Sequence, residues 1–195
     1  MSIHADADPV PPEFEELWRE AASIWETRQN DASFEGYVSA NYAMVYRSLQ
    51  KFQNRCVTFL EWGSGLGVVT IMAAQMGFDA YGIEIEPELV AHADELAERF
   101  GSNAKFACGS FIPADYEEDS RDGAEFYRTI TDSPSGYEAL DMELRDFDLV
   151  YAYPWPEEHI VFRRMMRRFG ASSSVLVCYD QREGMSVIRF GKKRR

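Results

Sequence analysis

The stretch 59-FLEWGSGLGVVTIMAAQMGFDAYGIEIEPEL-89 constrains the fold more than any other part of the chain. Cys56–Glu61 reads as a strand. Gly63-Ser64-Gly65-Leu66-Gly67 is a glycine turn, and the nearly all-apolar Val68–Met76 fits a helix lying against a sheet, with Gly77 free to stop it in the left-handed conformation. A second strand is predicted over Ala80–Ile85. Pro87 suits the first turn of the next helix, whose apolar stripe Leu89, Val90, Ala93, Leu96, Ala97 and Phe100 ends at Gly101. Strand, turn, helix and strand in this order make a βαβ unit, which joins parallel strands.

The alternation continues on both sides. Strands are predicted at Lys105–Cys108, Phe147–Ala152 and Ser174–Tyr179, with a helix over roughly 157–169. A turn at Gln181–Gly184 leads to a strand at Met185–Phe190, which a tight hairpin makes antiparallel. The fold class is therefore α/β, a doubly wound and mostly parallel sheet with a single antiparallel C-terminal strand. Ahead of it, Phe14, Leu17, Trp18, Ala21, Ile24 and Trp25 space as one helix over about 13–29, and a second runs to about Phe52, so residues 13–52 form a helical cap. Residues 1–12, with Pro9, Pro11 and Pro12, read as a disordered lead-in, and 13–195 as a single domain. The acidic, turn-rich stretch 113–146 interrupts the 53–190 core as an insertion over one edge or mouth of the sheet, with a short helix near 137–144.

Charge and composition narrow the classes of function. The net charge of −13 disfavours nucleic acid as a partner. From Arg163 onward ten Lys/Arg face two acids, +8, leaving −21 on residues 1–162, so an acidic and a basic face are expected. Arg163, Arg164, Arg167 and Arg168 put a basic stripe on the 157–169 helix, able with Lys192–Arg195 to steer an acidic partner, although a solvated face is the plainer reading. No apolar run reaches the roughly 18 residues of a membrane span, and the acidic, Pro-rich start lacks the pattern of a signal peptide. Cys56, Cys108 and Cys178 are read as buried free thiols, which suits a cytoplasmic protein. His4, His92 and His159 show no ligand spacing, so no metal site is expected.

The glycine loop then poses a question of ligand. In the dinucleotide signature G-x-G-x-x-G the third glycine would stand at 68, but that residue is Val68 and the glycine arrives at 67. The loop also follows an acid, Glu61, which does nothing for a pyrophosphate and favours a ligand carrying an ammonium and a sulfonium. Glu84, 21 residues beyond Gly63, has the spacing at which a carboxylate reaches ribose hydroxyls. Glu86 competes with it, but its place at a helix start explains it sufficiently.

With these residues in view, E-W-G-S-G-L-G followed by Y-G-I-E-I resembles motif I and the next acidic motif of the class I, seven-strand, Rossmann-like S-adenosylmethionine-dependent methyltransferases, over about residues 37–179. The resemblance implies a fold of that type with S-adenosyl-L-methionine as cofactor. It implies that Glu61, Gly63, Ser64 and Gly65 face the methionine end, that Glu84 binds the ribose, and that Ile85 lines the adenine. Ser110 stands where the family often has an acid meeting the adenine amino group, with Phe111 able to pack on the ring. Gly36-Tyr37-Val38-Ser39 resembles the loop that closes over the methionine end, which makes Tyr37 a contact.

The methyl acceptor should sit beyond the fourth strand, at Tyr153-Pro154-Trp155-Pro156. Amino-methylating members have Asn/Asp-Pro-Pro-aromatic there. The Asn/Asp is missing here, which lowers the case for base or amide methylation. Tyr153 or Trp155 could stack on a planar or cationic acceptor, and His159 could act as a base if it turns inward. The family usually ends in a helix and a two-strand hairpin, and this chain has room for one strand. The expectation is thus a methyltransferase acting on a small-molecule or protein acceptor. The rivals are a non-catalytic S-adenosylmethionine-binding module and an NAD-dependent oxidoreductase.

Overall fold

The computed structural model describes residues 9–116, 133–155 and 158–191. Its centre is a six-stranded sheet in the order β3-β2-β1-β4-β5-β6. The strands are β1 (Thr58–Trp62), β2 (Asp79–Glu84), β3 (Lys105–Cys108), β4 (Leu149–Ala152), β5 (Val175–Asp180) and β6 (Gly184–Arg189). All neighbours are parallel except β5 and β6. The order reverses between β1 and β4, and right-handed crossovers then send the helices before and after that point to opposite faces.

One face carries α1 (Pro12–Arg28), α2 (Tyr42–Leu49), α3 (Val68–Gln75) and α4 (Pro87–Arg99). Their apolar residues, among them Leu17, Val45, Leu49, Ile71 and Leu96, bury against Phe59, Leu149, Tyr151 and Val177 of the sheet. The other face carries α5 (Gly136–Leu140) and α6 (His159–Phe169), packed on Leu60, Trp62, Val150 and Leu176. Alternation along each strand divides its side chains between these two cores.

Local chemistry fixes the element ends. Pro12 and Pro87 occupy first turns, where a missing N–H costs nothing. The Asn41 side chain accepts from the Met44 amide at 3.1 Å and starts α2. The Asp148 carboxylate accepts from the amides of Val57 and Thr58 at 2.7 and 3.3 Å, clamping the beginnings of β1 and β4 together.

Several expectations need correction. α2 ends at Leu49, with turns rather than helix through Phe52. Of the three cysteines only Cys178 is buried. Cys108 is exposed because β3 is the outer strand, and Cys56 is half-buried just ahead of β1. Residues 1–8, most of the expected disordered lead-in, lie outside the described residues, as do 117–132 of the acidic insertion, Pro156, Glu157 and Lys192–Arg195. The chain is already ordered by Val10, which packs on the core, and Pro12 opens α1.

Candidate functional site

The glycine turn lies at the carboxyl end of β1, at the switch point. Gly63, Gly65 and Gly67 all have positive φ, at 68°, 53° and 72°. A Cβ on Gly67 would stand 2.5 Å from the Phe106 ring and 2.8 Å from Ala93, so this glycine is what lets α3 start against β3 and α4. A Cβ on Gly65 would stand 2.6 Å from Cε2 of Tyr37, so the Tyr37 ring rests directly on the loop.

The loop's amides are already engaged. Gly63 and Ser64 donate to the carbonyl of Ile83 at 2.9 and 3.1 Å, and Gly67 donates to that of Ser64 at 2.7 Å. Gly65 donates to Oε2 of Glu84 at 2.8 Å. The other oxygen of Glu84 accepts from the amides of Ile85 and Glu86 at 2.7 and 3.1 Å. Glu84 therefore ties the end of β2 to the glycine loop, and Oε2 keeps one lone pair for a further donor. Burial raises its pKa against the pull of these three amides. Glu86, its competitor, stands at the N-cap of α4.

Glu61 is only 5% exposed. Its Oε2 accepts from the amide and the hydroxyl of Thr70, at 2.9 and 2.6 Å, and so closes the first turn of α3. Its Oε1 makes no hydrogen bond among the described residues. Burial, outweighing the two Thr70 bonds, pushes its pKa from 4.5 up to about 8. The Tyr37 hydroxyl meets that of Tyr42 at 3.2 Å, and both phenols feel the Glu61 charge.

The remaining predicted residues divide into two groups. Ile85, half-buried just past β2, has its carbonyl accepting from the thiol of Cys108 at 3.6 Å. Ser110 and Phe111 are engaged elsewhere. The Ser110 hydroxyl accepts from the Ile112 amide at 3.1 Å, and its backbone stitches to Pro134 and Gly136, joining the two ends of the insertion. Phe111 stacks on Trp62 at 5.3 Å and 13° and meets Phe162 edge-on, so its half-buried ring packs on the second core.

Beyond β4, Tyr153 packs edge-on against Tyr179 with centroids 4.9 Å apart. His159, the first residue of α6, has Nε2 3.8 Å from Oδ2 of Asp180, whose other oxygen is held by the amides of Arg182 and Glu183. Trp155 lies 3.9 Å from the Cβ position of Gly36 and so joins this side of the site to the Tyr37 segment. Among the described residues no group of three or more His, Cys, Asp or Glu gathers as a metal would require.

Thr70, Tyr42 and Tyr151 escaped the sequence reading. Thr70 carries a signal in hindsight: it is the third residue of a helix that begins just after an acid-ended strand, where a carboxylate can reach its amide. Nothing local marks Tyr42 or Tyr151.

No protein-family model and no curated protein matches this sequence. Solved structures do match in shape. An RNA methyltransferase from Salinibacter ruber, in complex with S-adenosyl-L-homocysteine, aligns over 73% of this chain and 78% of its own at 20% identity, with a TM-score of 0.53. An O-methyltransferase from Bacillus cereus, also in complex with S-adenosylhomocysteine, aligns over 89% of this chain and 68% of its own at 14% identity, with a TM-score of 0.54. A Podospora anserina methyltransferase, bound to the same molecule, aligns over 89% and 64% at 13% identity, with a TM-score of 0.54. The chain has the Rossmann-like fold of the S-adenosylmethionine-dependent methyltransferases.

Proposed function

We propose that the chain binds S-adenosyl-L-methionine over the Gly63–Gly67 loop and transfers its methyl group to a small-molecule or protein acceptor. One observation carries this reading above the others. The Gly65 amide of the loop and the Thr70 amide in the first turn of α3 are taken by two buried carboxyl groups, Glu84 and Glu61. A dinucleotide loop works the other way round, presenting free amides and a helix N-terminus to phosphate. Here an anion would meet two buried carboxyl groups, whereas a cationic ligand would favour their ionised forms, Glu61 giving up its proton to pair with it.

The residues present fit such a cofactor, which when bound supplies an activated methyl group on a sulfonium. Glu61 would hold its positively charged end. The spare lone pair on Oε2 of Glu84 would take one ribose hydroxyl, and Ile85 would line the adenine. The ring of Tyr37, which rests on Gly65, would cover the methionine end. On the acceptor side Tyr153 and Trp155 offer aromatic surface, and His159 can hold a proton, with Asp180 oriented toward it by two backbone amides. Methyl transfer asks for alignment and dryness more than for strong acids or bases, and Tyr37, Tyr153 and Trp155 would supply both.

Thermal-shift titration with S-adenosylmethionine, S-adenosylhomocysteine and NADH separates the readings. The proposal expects stabilisation by the first two and none by NADH. The opposite pattern would replace it with the oxidoreductase reading. Binding without turnover across amine, hydroxyl and protein acceptors would favour a non-catalytic module.

A further inference from the structure

The sheet ends on β6, which pairs with β5 alone among the described residues. Backbone N–H and C=O groups of alternate β6 residues therefore point out from the open edge, a ready template for another strand. The opposite edge is blunted. β3 has only four residues, and Lys105 at its start reaches Asp79 and Tyr81. β6 runs for six residues, Gly184–Arg189, without Pro, Lys or a break in its pairing, and its one charge is the terminal Arg189. Val187 pairs with Val177, which is buried in the core under α1 to α4, yet Val187 itself is 44% exposed. On the same face Met185 is half-buried, and Met44 of α2, 39% exposed, lies 3.3 Å from the Cβ position of Gly184. An apolar strip thus adjoins the unpaired backbone.

We propose that β6 is the pairing edge of a two-fold homodimer, lying antiparallel to β6 of a second copy so that the two sheets become one. Charge selects a second copy as the occupant. Glu183 precedes β6 and Arg189 ends it, both exposed and neither in an ion pair among the described residues. With Ser186 on the two-fold axis, Glu183 of each copy stands opposite Arg189 of the other, and Met185 opposite Val187. Residues directly opposite in an antiparallel pair share a face, so the two apolar strips meet on one side, flanked by Met44, while two ion pairs close the ends. A parallel, in-register pairing would instead set Glu183 beside Glu183 and Arg189 beside Arg189. Hydrogen bonds along the edge only replace bonds to water, so burial of the apolar strip drives the association and the charges set its register. The two-fold axis closes the interface and stops growth into longer assemblies.

Sedimentation velocity on the full chain, over a concentration series, tests it. Wild type should shift from monomer to dimer as concentration rises. Val187→Lys, at an exposed position, and Glu183→Arg, which sets like charges opposite each other, should each weaken the dimer about tenfold or more, because the axis repeats every change. Adding Arg189→Glu to Glu183→Arg should restore it, since the exchanged charges pair again. If Val187→Lys does not fold, the charge exchange still decides. A wild type that stays monomeric throughout would overturn the proposal and leave the edge to a strand of another protein. A dimer indifferent to Val187→Lys would place the interface elsewhere. A dimer that the charge exchange fails to recover would overturn the antiparallel pairing, and assemblies larger than two would contradict the closed axis.

Discussion

The two oxygens of Glu61 differ. Oε2 caps α3 through Thr70, and Oε1 makes no hydrogen bond among the described residues. Burial lifts its pKa from 4.5 to about 8, so between those values the folded chain holds a proton that the unfolded chain has lost. The sign follows from linkage: stability contributed at this group falls as pH rises from 4.5 toward about 8. Denaturant titrations across that window should show the decline, and Glu61→Gln should flatten it by up to about 1.4 kcal/mol per pH unit. An unaltered pH profile in the variant would show that another carboxyl is responsible. Glu84 behaves differently, because three backbone amides depend on it. Glu84→Ala should lower the unfolding free energy of the ligand-free protein by about 1–3 kcal/mol, apart from any loss of binding. A fully stable Glu84→Ala variant would mean that the loop does not need this tie.

Most elements were legible in the sequence to within about two residues, since strand alternation, helical stripes and the stops at Gly77 and Gly101 are local signals, but α2 and the helix expected near 137–144 end earlier, at Leu49 and Leu140. Legibility failed where a partner came from far along the chain. The sequence does not show that the fold brings Trp62 and Phe162 to the Phe111 ring, nor that the Ser110 backbone is bonded to Pro134 and Gly136. That stitch has a consequence for the insertion. Its ends are pinned beside each other by the bridge between Ser110 and Ser135. Replacing 117–132 by a short Gly/Ser linker should shift the melting temperature by only a few degrees, measurable by calorimetry. A collapse of cooperative unfolding would show that this segment is part of the core. At the loop, Gly65→Ala must place a Cβ against Tyr37 in a left-handed backbone. It should cost at least about 1–2 kcal/mol in denaturant titrations, and an unchanged midpoint would contradict the packing described.

At the scale of the whole molecule, the switch point gathers what the sequence scatters. Glu61 and Glu84 stand at the ends of β1 and β2, Tyr151 lies on β4, and Tyr37 and Tyr42 come from the segment between α1 and α2. The early third glycine and its two flanking acids pointed to a cationic ligand from sequence alone. Tyr37 was named from its resemblance to the loop at the methionine end, whereas Tyr42 and Tyr151 could not be foreseen, because their neighbours are set by the fold and not by spacing. The account's central claim is that this junction receives a positively charged ligand on a buried, largely protonated carboxyl. Calorimetric titration with S-adenosylmethionine near neutral pH, in two buffers of different ionisation enthalpy, tests it most directly. The account predicts binding with net release of about one proton per ligand as Glu61 ionises to meet the charge. Absence of binding, or proton uptake in place of release, would contradict it.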